Sequence, residues 1–318
     1  MGWVNRLMNA LRPAPVPDSD TRRRIAQAAH AIDPLILQVG HYEQTLAPAV
    51  CHAVDYCATI AARIPGPVAI NRAAFVSDPL VHALFASADD IETMLARSQC
   101  VRDHLPAMAL GSGRCCALLG MRLHQTAGFG TQLEGGTVHT DVAQETLYFS
   151  DHTLAEPSPD PEAARLHLRD VLFDGLVKSI AGTVAAVRTE RASLHQDQSI
   201  ALARQRAGHS RPGFDATLEQ LHQRLSATDD ALQPGKLLDT LAAALSAPET
   251  YLHLDPIDVR VDRNGVIAKG SQEADLLRFA ELNGRDSRRW VVLLAFIDHD
   301  DARQALDRFE TARHYIVI

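Results

Sequence analysis

Apolar residues recur every three or four positions over most of this chain and every second position in two stretches, which predicts helices interrupted twice by strands. Between 21 and 64, Ile32, Ile36, Val39, Leu46, Val50, Ala53, Cys57, Ile60 and Ile64 keep the helical spacing. Asp33-Pro34 supplies a cap and first turn, Pro48 a kink, and the IPGP run at 64–67 a stop. Asp78-Pro79 opens a short helix to Phe85, and Asp89/Asp90 open another from Ile91 to Leu105.

From 111 the period changes to two. Arg114 to Thr126 and Thr137 to Phe149 read as strands around Gly135-Gly136, a hairpin signal, and Gly128 and Gly130 suggest a bend after the first arm. The EPSPDP break at 156–161 precedes the longest helical pattern, 162–207. There Phe173, Val177, Ile180, Val184, Val187, Leu194 and Ala201 hold a four/three seam, with Arg191 and Gln198 at two of its positions. After the GHSRPG turn at 208–213, Phe214, Leu218, Leu221 and Leu225 repeat that spacing until Thr228. Two such segments joined by a Gly/Pro turn predict an antiparallel coiled-coil hairpin, followed by a helix from Lys236 to Leu245.

Residues 251–297 alternate again. YLHLDPIDVRV and VIA around Asp262–Gly265 form one expected hairpin, LLRFAEL and RWVVLLAFI a second. Asp298-His299-Asp300-Asp301 caps a helix through Phe309, and RHYIVI at 313–318 is an expected last strand. The fold expected is α+β and helix-rich, with an antiparallel sheet and a projecting coiled-coil hairpin. Its segments are 1–20, an amphipathic helix and Pro-rich linker; 21–110, helical; 111–156, a β-hairpin; 157–247, the helical hairpin; and 248–318, an antiparallel β region with a C-terminal helix. The two β segments are expected to share one sheet, because an isolated hairpin is marginal in water.

The first segment is the one helix with no evident core to join. Trp3, Val4, Leu7, Met8 and Leu11 share a face, and PAPVP after them is a stiff extended linker. Such a tethered helix can dock back, bind a partner or rest on a membrane surface. No apolar run reaches the roughly 18 to 20 residues that span a bilayer, and no signal core precedes a cleavage site. The expectation is a cytoplasmic protein with at most peripheral contact with the inner face of the membrane. A net charge of -8 works against sequence-independent nucleic-acid binding, and the arginines at 188, 191, 204, 206 and 211 are interrupted by Glu190 and Asp197. The five cysteines are odd in number and lack a CxxC, so they are read as buried free thiols of a reducing compartment.

Motifs for phosphate, dinucleotide, zinc-protease, nucleophile-elbow and calcium chemistry are absent, and GSGR at 111–114 lacks the lysine and helix that a phosphate loop needs. His30, His41 and His52 are spaced by three helical turns, about 16 Å, too far apart to bind one metal. The sharpest polar cluster is His124, His139, Asp141 and His152 in the first β-hairpin and its exit, where His139 and Asp141 share one strand face by period two. These four are the candidate site for a metal-dependent enzyme such as a hydrolase. The preferred reading is a non-catalytic adaptor, scaffold or regulator without cofactor. It would bind a protein partner or itself through the helical hairpin, with Arg191, Gln198, Arg204, Arg206 and Arg211 as contact residues and residues 2–12 as a docking helix.

Overall fold

The computed structural model describes residues 17–111, 113–134, 137–207, 214–268, 274–284 and 289–316. The helix expected at 2–12, with Trp3, Val4, Leu7, Met8 and Leu11, lies outside the described residues, as does Arg211. In chain order the elements begin α1 (Ser19–Ile32), α2 (Tyr42–Arg63), β1 (Val68–Ala69), α3 (Arg72–Ser77), α4 (Pro79–Leu84), α5 (Ala88–Arg97) and α6 (Gln99–Leu110). The long strands β2 (Arg114–Glu134) and β3 (Thr137–Ser158) follow, then α7 (Pro161–Arg206), α8 (Phe214–Ala231) and α9 (Pro234–Ser246). The chain ends with β4 (Leu252–Val261), β5 (Asp275–Gly284), β6 (Arg289–Asp298) and α10 (His299–Ile316). This is an α+β protein, and it divides into two units, 1–56 with 173–251 and 57–172 with 252–318.

The first unit is helical. Asp18 accepts the Thr21 amide at 2.7 Å and caps α1, whose Ile25, Ala28, Ala29 and Ile32 are buried. Phe173, Leu176, Val177, Ile180 and Val184 of α7 and Leu237, Leu238 and Leu241 of α9 are buried in the same unit. Arg24 is only 4% exposed, because its guanidinium lies 5.6 Å from the Phe173 ring centre while Nε holds Asp20 at 2.9 Å. Arg188 of α7 donates to Ile32 O at 2.9 Å and to Asp33 at 2.7 Å, satisfying a carbonyl that the end of α1 leaves open. Leu194, Leu218 and Leu225 are buried along α7 and α8, and Arg191–Asp229 and Arg224–Glu190 ion pairs join the two helices.

The second unit holds the sheet, in the order β3-β2-β6-β5-β4, antiparallel throughout. β1 adds a short parallel pairing to β6 at Val68↔Ala295 and Ala69↔Phe296. The pairing does not stop at β4. Val266 bridges Thr146 of β3 and Ile267 bridges Val261 of β4, backed by Leu147 N to Gly265 O and Ile267 N to Glu145 O, both 2.8 Å. The sheet therefore curls and returns to its first strand. The side chains confirm the curl: Phe149 of β3 and Phe279 of β5 meet edge to face at 5.4 Å, whereas three strand spacings of a flat sheet would hold them ~14 Å apart. Helices α4, α5, α6 and α10 join this core through Val81, Leu84, Ile91, Leu95, Val101, Met108, Ala302 and Ala305.

β3 is long because three bulges keep it paired. Register slips between Cys116/Leu118, Gly120/Arg122 and Gly130/Gln132 of β2, and opposite them Glu156, Asp151 and Asp141 have φ of 55°, 55° and 60°. A non-glycine residue there costs on the order of 1 kcal/mol, which asparagine and aspartate bear best.

Several expectations need correcting. The second arm, expected to end at Phe149, runs on to Ser158, so Asp151-His152 lies within a bulged strand. The VIA segment makes only bridges, and β4 pairs along its whole length with β5. The segment at 313–318 was expected as a strand, yet α10 carries the helix on to Ile316. The helix expected at 91–105 breaks at Ser98, whose amide bonds back to Met94 and Leu95. Cys51 is exposed, not buried, unlike Cys57, Cys115 and Cys116. His30, His41 and His52 do not share one helix, since the chain breaks between α1 and α2.

Candidate functional site

The four residues singled out for chemistry lie at different places along the β2/β3 hairpin. His124 pairs with Tyr148, whereas His139 pairs with Gln132, eight residues further along β2, or roughly 26 Å at ~3.3 Å per residue. His124 and His152 each have a local partner. His124 stacks on Tyr148 at 4.8 Å and its Nε2 is 2.8 Å from Ser150 Oγ. His152 stacks on Phe85 at 4.5 Å, and its Nε2 lies 2.7 Å from the Leu84 carbonyl. His139 and Asp141 are both exposed, and they do not share a face. The bulge resets the parity, so His139 and Val142 face one way and Asp141 is the left-handed residue between them. Among the described residues no three His, Cys, Asp or Glu side chains gather closely enough to hold a metal ion.

His152 is nonetheless a titrating group built into the fold. Burial pushes its pKa below the ordinary 6.5, against the Leu84 carbonyl and the charges of Asp90 and Asp151, which favour the proton. The unfolded chain then takes up this proton first as pH falls. The contribution of His152 to stability is whole above pH ~7 and declines as pH drops through and below 6.5. The carboxylates held low, Asp20 by Arg24 and Arg23, Asp18 by the Thr21 amide and Glu92 by Arg72 and Arg308 against its burial, act mainly below pH ~5. Urea unfolding at pH 8 and 5.5 is expected to show a loss for the wild type that shrinks in His152→Gln. An equal loss in both would place the titration elsewhere.

The thiols and the cleft beside α4 show no convergent chemistry either. Burial pushes Cys115 up to about 12 and Cys116 up to about 11, which keeps both protonated. A cleft of about 550 Å³ opens between α4, Thr146–Phe149 of β3 and the turn at 262–265. Three of its polar side chains, Asp78, Asp262 and His82, are bound to nearby backbone. Asp78 accepts Leu80 N at 2.9 Å, Asp262 accepts Asn264 N at 2.8 Å and Val266 N at 2.9 Å, and His82 Nδ1 is 3.3 Å from Phe75 O.

Two surfaces bear on contact with other molecules. One is the α7/α8 pair. Leu194, Leu218 and Leu225 are buried along it, and the buried Thr228 donates to Leu225 O. Arg191 flanks the seam and pairs with Asp229, Gln198 is half-buried, and Arg204 and Arg206 are exposed towards the far end of α7.

The other surface was not legible as a site. Beyond Met121, β2 has no β6 partner, and it continues with β3 as a two-stranded arm. Alternate residues Cys115, Ala117, Leu119 and Met121 face the core and are fully buried. The same face of the strand continues outward as Ala127 and Phe129, opposite Glu145 and Ala143, and then to Val138 on β3. Phe129 is 80% exposed and Val138 60%, and Ala127 and Ala143 are exposed too. The reverse face is more polar. It carries the His124/Tyr148 stack, and Gln144 folds over Gly130, with its amide donating to Thr131 O at 3.2 Å. The one signal in the sequence was Phe129 between two glycines, on the apolar parity of a strand whose neighbours on that parity are buried.

No described helix is long and apolar enough to cross a membrane. In comparisons with known proteins, no family model, no curated protein and no solved structure matches the chain.

Proposed function

We propose that this protein is a non-catalytic adaptor or scaffold that works in the cytoplasm through protein–protein contacts. The observation that supports it best is the bare apolar face of the β2/β3 arm, with Phe129 80% exposed. A core face that runs on into solvent costs solubility and exposes a strand pair to aggregation, so its retention favours a surface that is covered in use. The α7/α8 pair is read as a short antiparallel coiled coil whose seam is already closed, leaving its polar far end, with Arg204 and Arg206, as a second contact surface. Two separate surfaces on one chain suit a molecule that holds others together.

The test is a pull-down from the native cell with the full chain, read by mass spectrometry. Phe129→Ser with Val138→Ser is expected to lose co-purifying protein at least tenfold while circular dichroism and melting stay as in the wild type, because both side chains are largely exposed. Arg204→Glu with Arg206→Glu is expected to remove a different set. An unchanged profile in both variants overturns the reading.

A further inference from the structure

We propose that Asn264, in the turn that closes the sheet, is a site of spontaneous chemical modification: the next backbone nitrogen displaces ammonia from its carboxamide, and the isoaspartate that results releases the closing seam. Three observations assign the reaction to this residue.

The first is the chemistry of the pair Asn264-Gly265. A glycine after asparagine leaves the backbone nitrogen least obstructed, because no Cβ stands beside it. Gly265 N gives its proton to solvent and attacks Asn264 Cγ. A C–N bond forms, and ammonia leaves with a proton taken back from solvent. Water then opens the succinimide ring. Opening at Cγ leaves aspartate with the original backbone. Opening at the α-carbonyl leaves isoaspartate, whose chain runs through Cβ and Cγ and is longer by one methylene. Solvent water is the only co-reactant.

The second is the contrast with Asn283-Gly284, the other such pair in the chain. Asn283 Nδ2 donates to Asp255 at 2.9 Å, and the residue pairs with His253 of β4 and Arg289 of β6. Ring closure there takes the carboxamide from its partner and the strand from both neighbours. Asn264 is exposed, and among the described residues its carboxamide has no hydrogen-bond partner. What restrains it is backbone. Asn264 N donates to Asp262 Oδ1 at 2.8 Å, and Gly265 N donates to Asp262 O at 3.1 Å. The second bond has to open before Gly265 N can react. It is one bond across a tight turn with an exposed tip, the kind of element that opens at small cost.

The third is the consequence. Leu147 N donates to Gly265 O and Ile267 N to Glu145 O, both at 2.8 Å, and Val266 bridges Thr146 between them. Through these bonds the curled sheet returns to β3. Gly265 sits so close to that strand that a Cβ would stand 2.8 Å from Leu147 O. An added methylene between residues 264 and 265 has no room on the β3 side, so the lengthened chain cannot keep both its turn on Asp262 and its pairing with β3. The aspartate product adds a charge beside Asp262 and keeps both. The fold thus carries a slow, one-way release of its own closure.

The test is to age the purified full chain for days at neutral pH and to read both Asn-Gly peptides by tandem mass spectrometry. Conversion is expected at least tenfold faster at Asn264 than at Asn283. Amide hydrogen exchange at 145–147 is expected to rise at least tenfold in the isoaspartate form. It is expected to stay within about twofold of the fresh wild type in Asn264→Asp, which has the charge without the extra methylene. Asn264→Gln, which must close a larger ring, is expected to age with neither change. Conversion at Asn264 no faster than at Asn283 overturns the assignment. An isoaspartate form that exchanges like fresh protein, or an Asn264→Asp protein loosened to the same degree, overturns the release by chain lengthening.

Discussion

Replacing Phe279 by alanine is expected to destabilise the sheet unit by about 3–5 kcal/mol, the range for emptying a buried aromatic site. Phe279 is 1% exposed on β5 and meets Phe149 of β3 edge to face. Two strands, β2 and β6, separate these residues in the pairing order, so the ring contact spans the interior of the curled sheet. Deleting it removes ring area, leaves a cavity and takes away an aromatic pair worth about 1 kcal/mol beyond its burial. Phe279→Leu retains most of the volume and is expected to cost nearer 1–2 kcal/mol. The measurement is a urea melt followed by Trp290 fluorescence in a Trp3→Phe background, since these are the two tryptophans of the chain and Trp290 lies on β6. A loss below 1 kcal/mol for the alanine variant would mean that the sheet does not close around these rings.

The same contact bears on function, because Phe149 stands at the root of the arm. It pairs with Leu123, and Leu147 beside it is bonded to Gly265 of the closing turn. The arm is thus an extension of the closed sheet, held where β3 meets the turn at 262–265. A loosened core is expected to blur the orientation of Phe129 and Val138 before it unfolds the chain, since these side chains are largely exposed.

The parts legible in the sequence are those governed by local spacing. The heptad run at 173–201 lies within a single helix, Pro161–Arg206, and Gly135-Gly136 between two alternating stretches marks the β2/β3 hairpin. What was missed depends on bulges and on pairing between distant residues. Asp141, Asp151 and Glu156 shift the alternation each time they add residues to β3, so the strand seemed to end at Phe149 and His139 seemed to face the same way as Asp141. The Asn-Gly turn at 264–265 is real, but its outgoing segment bridges both β3 and β4, a choice that depends on the Gly265 contact with Leu147 and not on the turn itself. The helical pair attracted notice as an interaction surface because its apolar spacing is conspicuous, yet Phe173, Val177, Ile180, Val184, Leu194, Leu218 and Leu225 of that spacing are buried. The arm face went unnoticed because Ala127, Phe129, Ala143 and Val138 look like an ordinary strand interior until the core beneath them ends.

Gly66→Ala is expected to cost on the order of 3 kcal/mol, and more if the backbone of β6 cannot yield. Gly66 has φ +97°, and a Cβ there would stand 2.4 Å from Leu294 O and 3.1 Å from Leu294 N. Both atoms belong to backbone in the middle of the sheet, so no side-chain rotation relieves the clash. Nor can the segment back away cheaply. Leu294 N donates to Pro65 O at 2.8 Å and Ile70 N to Phe296 O at 3.0 Å, which fix the chain on both sides of the glycine. Arg165 of α7 adds a third restraint, donating to Ala61, Ala62 and Ile64 carbonyls at 2.5, 3.0 and 3.1 Å, which closes the end of α2 just before the turn. Moving residue 66 outward therefore strains the β1 pairing and the helix cap together. Gly128→Ala is the matched control, since its backbone is not left-handed and a Cβ there meets nothing within 4 Å. That variant is expected to stay within about 0.5 kcal/mol of the wild type. Thermal melts of the two proteins read the difference directly, and a Gly66→Ala protein that melted with the wild type would mean that the 64–67 segment is not held against β6 by these bonds.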